Sequence, residues 1–132
     1  MQLAYAFPSS AAEFSSDGKV YVLGGDFDTL RVPGFPATQP SLALVVKLHV
    51  QPMECYREHR LRIDLIDDDG ARVYPEIGLP FTPQTSPNYP HRRVGVGLVI
   101  TLQGLTFPRP GGYAFHILVD DLEIGTVPLY LE

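Results

Sequence analysis

Leu42-Ala43-Leu44-Val45-Val46-Lys47-Leu48-His49-Val50 is the stretch that decides the fold. Its even positions are all large and aliphatic, and its odd positions are Ala, Val, Lys and His. A repeat of two is the period of a strand, whose successive side chains point to opposite faces. Working outward, Arg60-Leu61-Arg62-Ile63-Asp64-Leu65 alternates more cleanly, with Leu61, Ile63 and Leu65 inward and charges outward. Val94–Leu102 repeats the pattern with Gly95 and Gly97 at alternate positions, which leaves room on one face for a neighbouring side chain or backbone. Tyr113, Phe115, Ile117 and Val119 form a fourth apolar face.

Turn signals separate these runs. Asp17-Gly18 before Lys19–Leu23 predicts an early hairpin. Asp67-Asp68-Asp69-Gly70 predicts a turn into a strand at Arg72-Val73-Tyr74. Asp120-Asp121 predicts a tight turn, because Asp tolerates the left-handed region. A closing strand runs from Leu122 to Leu131, with Pro128 on a sheet edge because Pro has no N–H to donate. Pro52–His59 is the best helical candidate, one or two turns with Pro at the first position. The reading is one all-β domain over residues 1–132. It is an antiparallel β-sandwich of about seven to nine strands with two long Pro-rich loops and at most one short helix.

The two loops hold seven of the 13 prolines: Val32–Ser41 with three and Pro80–Arg93 with four. Such spacing stiffens a chain toward extended conformations. Structureless loops of this length tend to carry function. Composition agrees with a packed domain, since 41 of 132 residues are Leu, Ile, Val or Phe, well above the roughly 20% typical of disordered chains.

With 10 basic against 15 acidic residues the net charge is −5, and the basics are scattered along the chain apart from His91-Arg92-Arg93. Nucleic acid is therefore not an expected partner. The single Cys55 cannot form an internal disulfide. Leu42–Val46 is the longest apolar run, far short of the roughly 20 residues of a membrane span. Residues 1–8 lack the charged and apolar regions of a signal peptide. A soluble cytoplasmic protein is expected, with no membrane partner.

Turn and surface roles compete with each chemistry-bearing pattern in the chain. Asp26, Asp28, Asp67, Asp68, Asp69, Asp120 and Asp121 raise calcium as an alternative, because calcium takes six to eight oxygens. No Glu stands at EF-hand distance after Gly70, and turn chemistry accounts for the aspartates. His49, His59, His91 and His116 show no local zinc spacing. Cys55 and His59 share a face if their segment is helical, but no third group is indicated to orient them. Gly24-Gly25 and Gly111-Gly112 precede no helix and are not phosphate loops. No catalytic residue, cofactor or metal is assigned, and an enzyme ranks behind a binding protein. Pro87-Asn88-Tyr89-Pro90-His91-Arg92 matches a short SH3-ligand pattern that also arises by chance in Pro-rich loops.

Three stretches, Lys19–Leu30, His59–Gly70 and Gly111–Asp121, together resemble a family of small uncharacterised bacterial β-sandwich proteins, a domain of unknown function. The resemblance runs over most of the chain and implies a bacterial single-domain sandwich, with no activity to carry over.

The functional expectation is a non-catalytic binding or assembly module. Phe35, Phe81, Tyr89, His91, Arg92 and Arg93 are the candidate partner-binding residues, because aromatic and Arg side chains in exposed loops mark interfaces. The expected partner is a second copy or another protein, reached through sheet edges or the Pro-rich loops. The first alternative is a small-molecule, lipid or carbohydrate site in space opened by Gly95 and Gly97 or under the second loop. A calcium-dependent domain is the second.

Overall fold

The β period set by Leu42–Val50 extends through nearly the whole chain. A computed structural model describes residues 1–132 as nine strands. They are β1 (Gln2–Phe14), β2 (Val20–Gly25), β3 (Thr29–Leu30), β4 (Ala37–Val50), β5 (His59–Asp67), β6 (Ile77–Phe81), β7 (Val94–Phe107), β8 (Gly111–Val119) and β9 (Leu122–Leu131). One sheet has the order β2-β1-β4-β7 and the other β3-β9-β8-β5-β6. All pairs are antiparallel except the short β3–β9 pair. The result is a β-sandwich, and no helix is long and apolar enough to cross a membrane.

Alternation builds the core directly. Leu42, Leu44, Val46, Leu48 and Val50 of β4 join Leu61, Ile63 and Leu65 of β5 and Tyr113, Phe115, Ile117 and Val119 of β8 in one cluster of 20 buried residues. Leu44, Val46, Leu48, Val50, Phe115 and Ile117 have no exposed surface at all.

The opposite face of β4 is buried too, at Ala43 and Val45. The β1–β2 hairpin covers it. Gly97 on β7 pairs with Lys47, and Lys47 pairs with Tyr5 on β1. A Cβ at Gly97 would stand 2.2 Å from Cζ of Phe14. Phe14 is nine residues beyond Tyr5, about 30 Å along a straight strand, so β1 must fold back over β4 to bring that ring to β7. The pairing of β1 with β4 ends at Ser9, and Gly24 opposite the bend has φ +62. Only Gly adopts that backbone at no steric cost.

Several expectations need correction. Residues 52–59 form a single 3-10 turn, Pro52–Glu54, because Cys55 is already extended and the Tyr56 N–H bonds to the Pro83 C=O. Arg72–Tyr74 contributes one isolated bridge, Ile66 with Arg72, and the strand begins instead at Ile77 beyond Pro75. Both Pro-rich segments are shorter than expected. Ala37–Ser41 belongs to β4, with Pro40 tolerated because β1 no longer pairs there. Pro80 and Phe81 belong to the edge strand β6. Pro128 does lie where β9 is an edge, since β3 pairs only with Tyr130 and Leu131.

The hairpin cover makes a prediction. Gly97→Val should destabilise the fold by about 1–3 kcal/mol through overpacking against Phe14. In a Phe14→Ala background the same change should cost less, read from urea unfolding of all four proteins. Additive costs would mean that Phe14 does not occupy the space over Gly97.

Candidate functional site

The loop residues singled out from the sequence divide into two groups. Phe35 and Phe81 are half-buried and pack against the core. Phe81 stands on the inner face of β6, its ring 5.7 Å from that of His59. Neither is an exposed loop residue, because each lies close to the strand that draws it inward. Tyr89, His91, Arg92 and Arg93 are exposed. Arg92 lies 4.7 Å over the Tyr89 ring, and its N–H bonds to the Tyr89 C=O. The loop is pinned by Tyr56, whose N–H bonds to the Pro83 C=O and whose hydroxyl lies 2.8 Å from that of Thr85. Arg93 leads into β7 beside His49, which is paired with Gly95. Burial first, and then the charges of Arg93 and Lys47, lower the pKa of His49.

His59 organises the same end of the sandwich. It is 6% exposed. Its Nδ1 stands 2.6 Å from Asp120 Oδ2 and its Nε2 2.7 Å from the Glu54 C=O. Both partners are acceptors, so the site favours the ring with both nitrogens donating, as an imidazolium. Burial alone lowers its pKa, but the bonds to Asp120 and to the Glu54 carbonyl outweigh burial and raise it. Asp120 is correspondingly lowered, first by its bond to His59. Asp120 and Asp121 both have positive φ, 50° and 67°, the geometry of the tight hairpin expected there. Asp120 Oδ1 also accepts the Arg60 N–H. One carboxylate thus fastens the β8–β9 turn to the start of β5.

This arrangement resembles a base and its orienter, and the sequence did not indicate Asp120 in that role. It does not activate Cys55. That thiol is buried, donates to the Gln51 C=O at 3.7 Å, and has its pKa raised by burial and then by the Glu54 charge. His59 has no nitrogen left to act as a base.

The acidic turns do not converge. Asp120 follows the end of β8 opposite Leu61, whereas Asp67 pairs with Tyr113 at the other end, about 20 Å away along the strand. Asp67 and Asp69 are held by Arg109 at 3.0 and 2.8 Å. Asp64 is buried on the outer face between Arg62 and Arg72, at 3.4 and 3.2 Å. His116, opposite Asp64 in the ladder, bonds to Glu123. No group of three His, Cys, Asp or Glu side chains is disposed to hold a metal. Space over Gly95 and Gly97 is filled by the Lys47 chain and the Phe14 ring. A cavity of about 480 Å³ lies elsewhere, between β1 and β9 under the β2–β3 connection, lined in part by Phe7, Asp26, Phe27, Asp28 and Arg31.

The sheet edges differ sharply. β3 has two residues, and β6 carries Gly78 and Pro80. β7 is a long edge capped at Gln103 alone, whose C=O accepts from the Tyr74 hydroxyl at 2.8 Å and whose N–H donates to it at 3.3 Å. β2 has no such cover and exposes Tyr21 (56%), Val22 (39%) and Leu23 (72%).

A family model described as a family of unknown function, DUF6941, matches residues 4–132. The chain belongs to that family. No curated protein matches it. DUF6941 membership accords with the resemblance seen in the three sequence stretches and assigns no chemistry to His59, the acidic turns or the loop.

The His59 bonds give a pH dependence. A raised pKa contributes stability that is fully present below the ordinary imidazole value and lost as pH rises through the folded value. The lowered pKa of Asp120 acts at the other limit, lost as pH falls through it. At pH 6, His59→Ala should cost about 1–3 kcal/mol by leaving these acceptors unpaired. The gap from the unmodified protein, measured by urea unfolding, should narrow above about pH 6.5. A gap that stays constant to alkaline pH would mean the folded ring is neutral.

Proposed function

We propose that the chain is a non-catalytic assembly module that pairs with a second copy through β2. The observation that carries this reading is the open β2 edge, where backbone groups and large apolar side chains are exposed together. The Ser15 N–H bonds to the Lys19 C=O at 2.9 Å. Bonded pairs alternate along an antiparallel ladder, so Val20 and Val22 turn their amides away from β1. An edge of this kind is a template for another strand. In a two-fold antiparallel pair centred on Val22, Tyr21 of each copy meets Leu23 of the other. Aromatic–aliphatic cross-strand pairs of this type each stabilise by about 0.2–1 kcal/mol. Two-fold dimers are also the commonest closed assembly.

A second reading is a small-molecule binder using the cavity between β1 and β9. Its volume, about 480 Å³, is of ligand-pocket size. The assembly reading is favoured because Arg31, the cavity's one cation, is already paired with Glu132 at 3.0 Å, and the cavity opens among exposed carboxylates. A bacterial, cytoplasmic setting is part of the proposal and suits a chain with one buried, unpaired cysteine.

Light scattering during size-exclusion chromatography should give twice the 14.6 kDa chain mass at high concentration. Leu23→Lys should return the monomer with unchanged circular dichroism, because Leu23 is 72% exposed and supports little of the fold. A clean monomer for the unmodified chain at high concentration would remove the reading.

A further inference from the structure

Ion pairing divides the cations of this chain by place. Lys19, Arg31, Arg62, Arg72 and Arg109 each have a carboxylate partner. Lys47, Arg57, Arg60, Arg92 and Arg93 form no ion pair, although acidic residues outnumber basic ones 15 to 10. Lys47, Arg57, Arg92 and Arg93 lie toward one end of the sandwich, where β4 runs out and β5 and β7 begin, whereas the Arg60 guanidinium lies back over Gly78 on β6. Tyr56 (66%), Tyr89 (60%) and Met53 (82%) are exposed at that end. Arg, Tyr and Met are the residues enriched at protein interfaces. The loop that presents Tyr89, Arg92 and Arg93 is held by its own backbone bonds and by Tyr56. Little ordering entropy remains to be lost on binding.

We infer that this end, centred on Lys47, Tyr89, Arg92 and Arg93, docks an acidic segment of another polypeptide. Charge complementarity selects the partner: the unpaired guanidiniums match carboxylates in planar, two-pronged geometry. Glu54, Glu58, Asp120 and Asp121 stand at the same end. A continuous phosphate backbone or an anionic membrane would meet those carboxylates as well. A short acidic segment reaches the cations without covering them, and its apolar side chains suit the exposed tyrosines. None of these residues belongs to β2, so the site is separate from the β2 edge.

The test uses the full chain and three probes: a fluorescent Asp/Glu-rich 12-residue peptide, a single-stranded oligonucleotide of equal charge, and vesicles containing anionic lipid. The peptide should bind in low salt, weaken as salt rises, and bind the oligonucleotide-exposed protein no less well than the free protein. Arg92→Glu with Arg93→Glu should weaken the peptide at least tenfold while circular dichroism stays unchanged. Lys47→Glu is the second variant, with the same expected direction, should the first misfold. Leu23→Lys should leave peptide binding unaltered, which separates this inference from the β2 reading. Absence of peptide binding in low salt, equal or tighter binding of the oligonucleotide or vesicles, or indifference to both charge reversals would overturn it.

Discussion

Between Leu42 and Val50 the chain buries side chains on both faces of one strand, and the other elements are arranged to cover them. The even positions meet β5 and β8 across the sandwich. Ala43 and Val45 need a second cover, and the folded-back β1–β2 hairpin supplies it. That second cover has a consequence for the surface. A hairpin bent out of the ladder at Ser9 and Gly24 ends in β2, which has a partner on one side only. The apolar edge is thus a by-product of closing β4, whereas β3 is short, β6 is interrupted by Pro80, and β7 is capped by Tyr74 at Gln103. Edge protection of this kind is common in soluble sheet proteins, and β2 differs from β7 in exposing Tyr21, Val22 and Leu23 along its open edge.

His59 supplies the other constraint. One imidazolium ties the Pro52–Glu54 turn, the start of β5 and the β8–β9 hairpin together. Burying a charge is tolerated when its hydrogen bonds are complete, and here both ring nitrogens and both Asp120 oxygens are used. The same completeness that makes the cluster a good structural joint removes it from chemistry. A catalytic histidine needs a nitrogen free to exchange a proton with substrate. The buried Cys55 beside it, with its thiol held protonated, points the same way.

The strands, the Asp17-Gly18 hairpin, the Asp120-Asp121 turn and the closing strand with its edge proline were legible because period and turn chemistry are local properties. The short helix at Pro52–His59 was not, because its later residues are claimed by Pro83 and by β5. Tyr89, Arg92 and Arg93 were recognisable as exposed from loop composition. Phe35 and Phe81 were misplaced because half-burial depends on how far a neighbouring strand extends. Asp120 could have drawn attention as the acid in a two-residue turn, but nothing local connects it to His59, 61 positions away.

By itself, then, the sequence determined the sandwich: alternating apolar positions can be buried only in strands with a shared inner face, and the turns follow from residues that accept positive φ. Only the tertiary structure decided which surfaces are open. The ten basic residues look scattered along the chain, yet folding pairs five of them with carboxylates and leaves Lys47, Arg57, Arg92 and Arg93 toward one end. Likewise, β2 reads as an ordinary strand, and its exposure results from a bend set by Ser9, Gly24 and the space over Gly97. Edge exposure and the pairs of Arg31, Arg72 and Arg109 depend on distances between residues remote in sequence, so no local pattern encodes them.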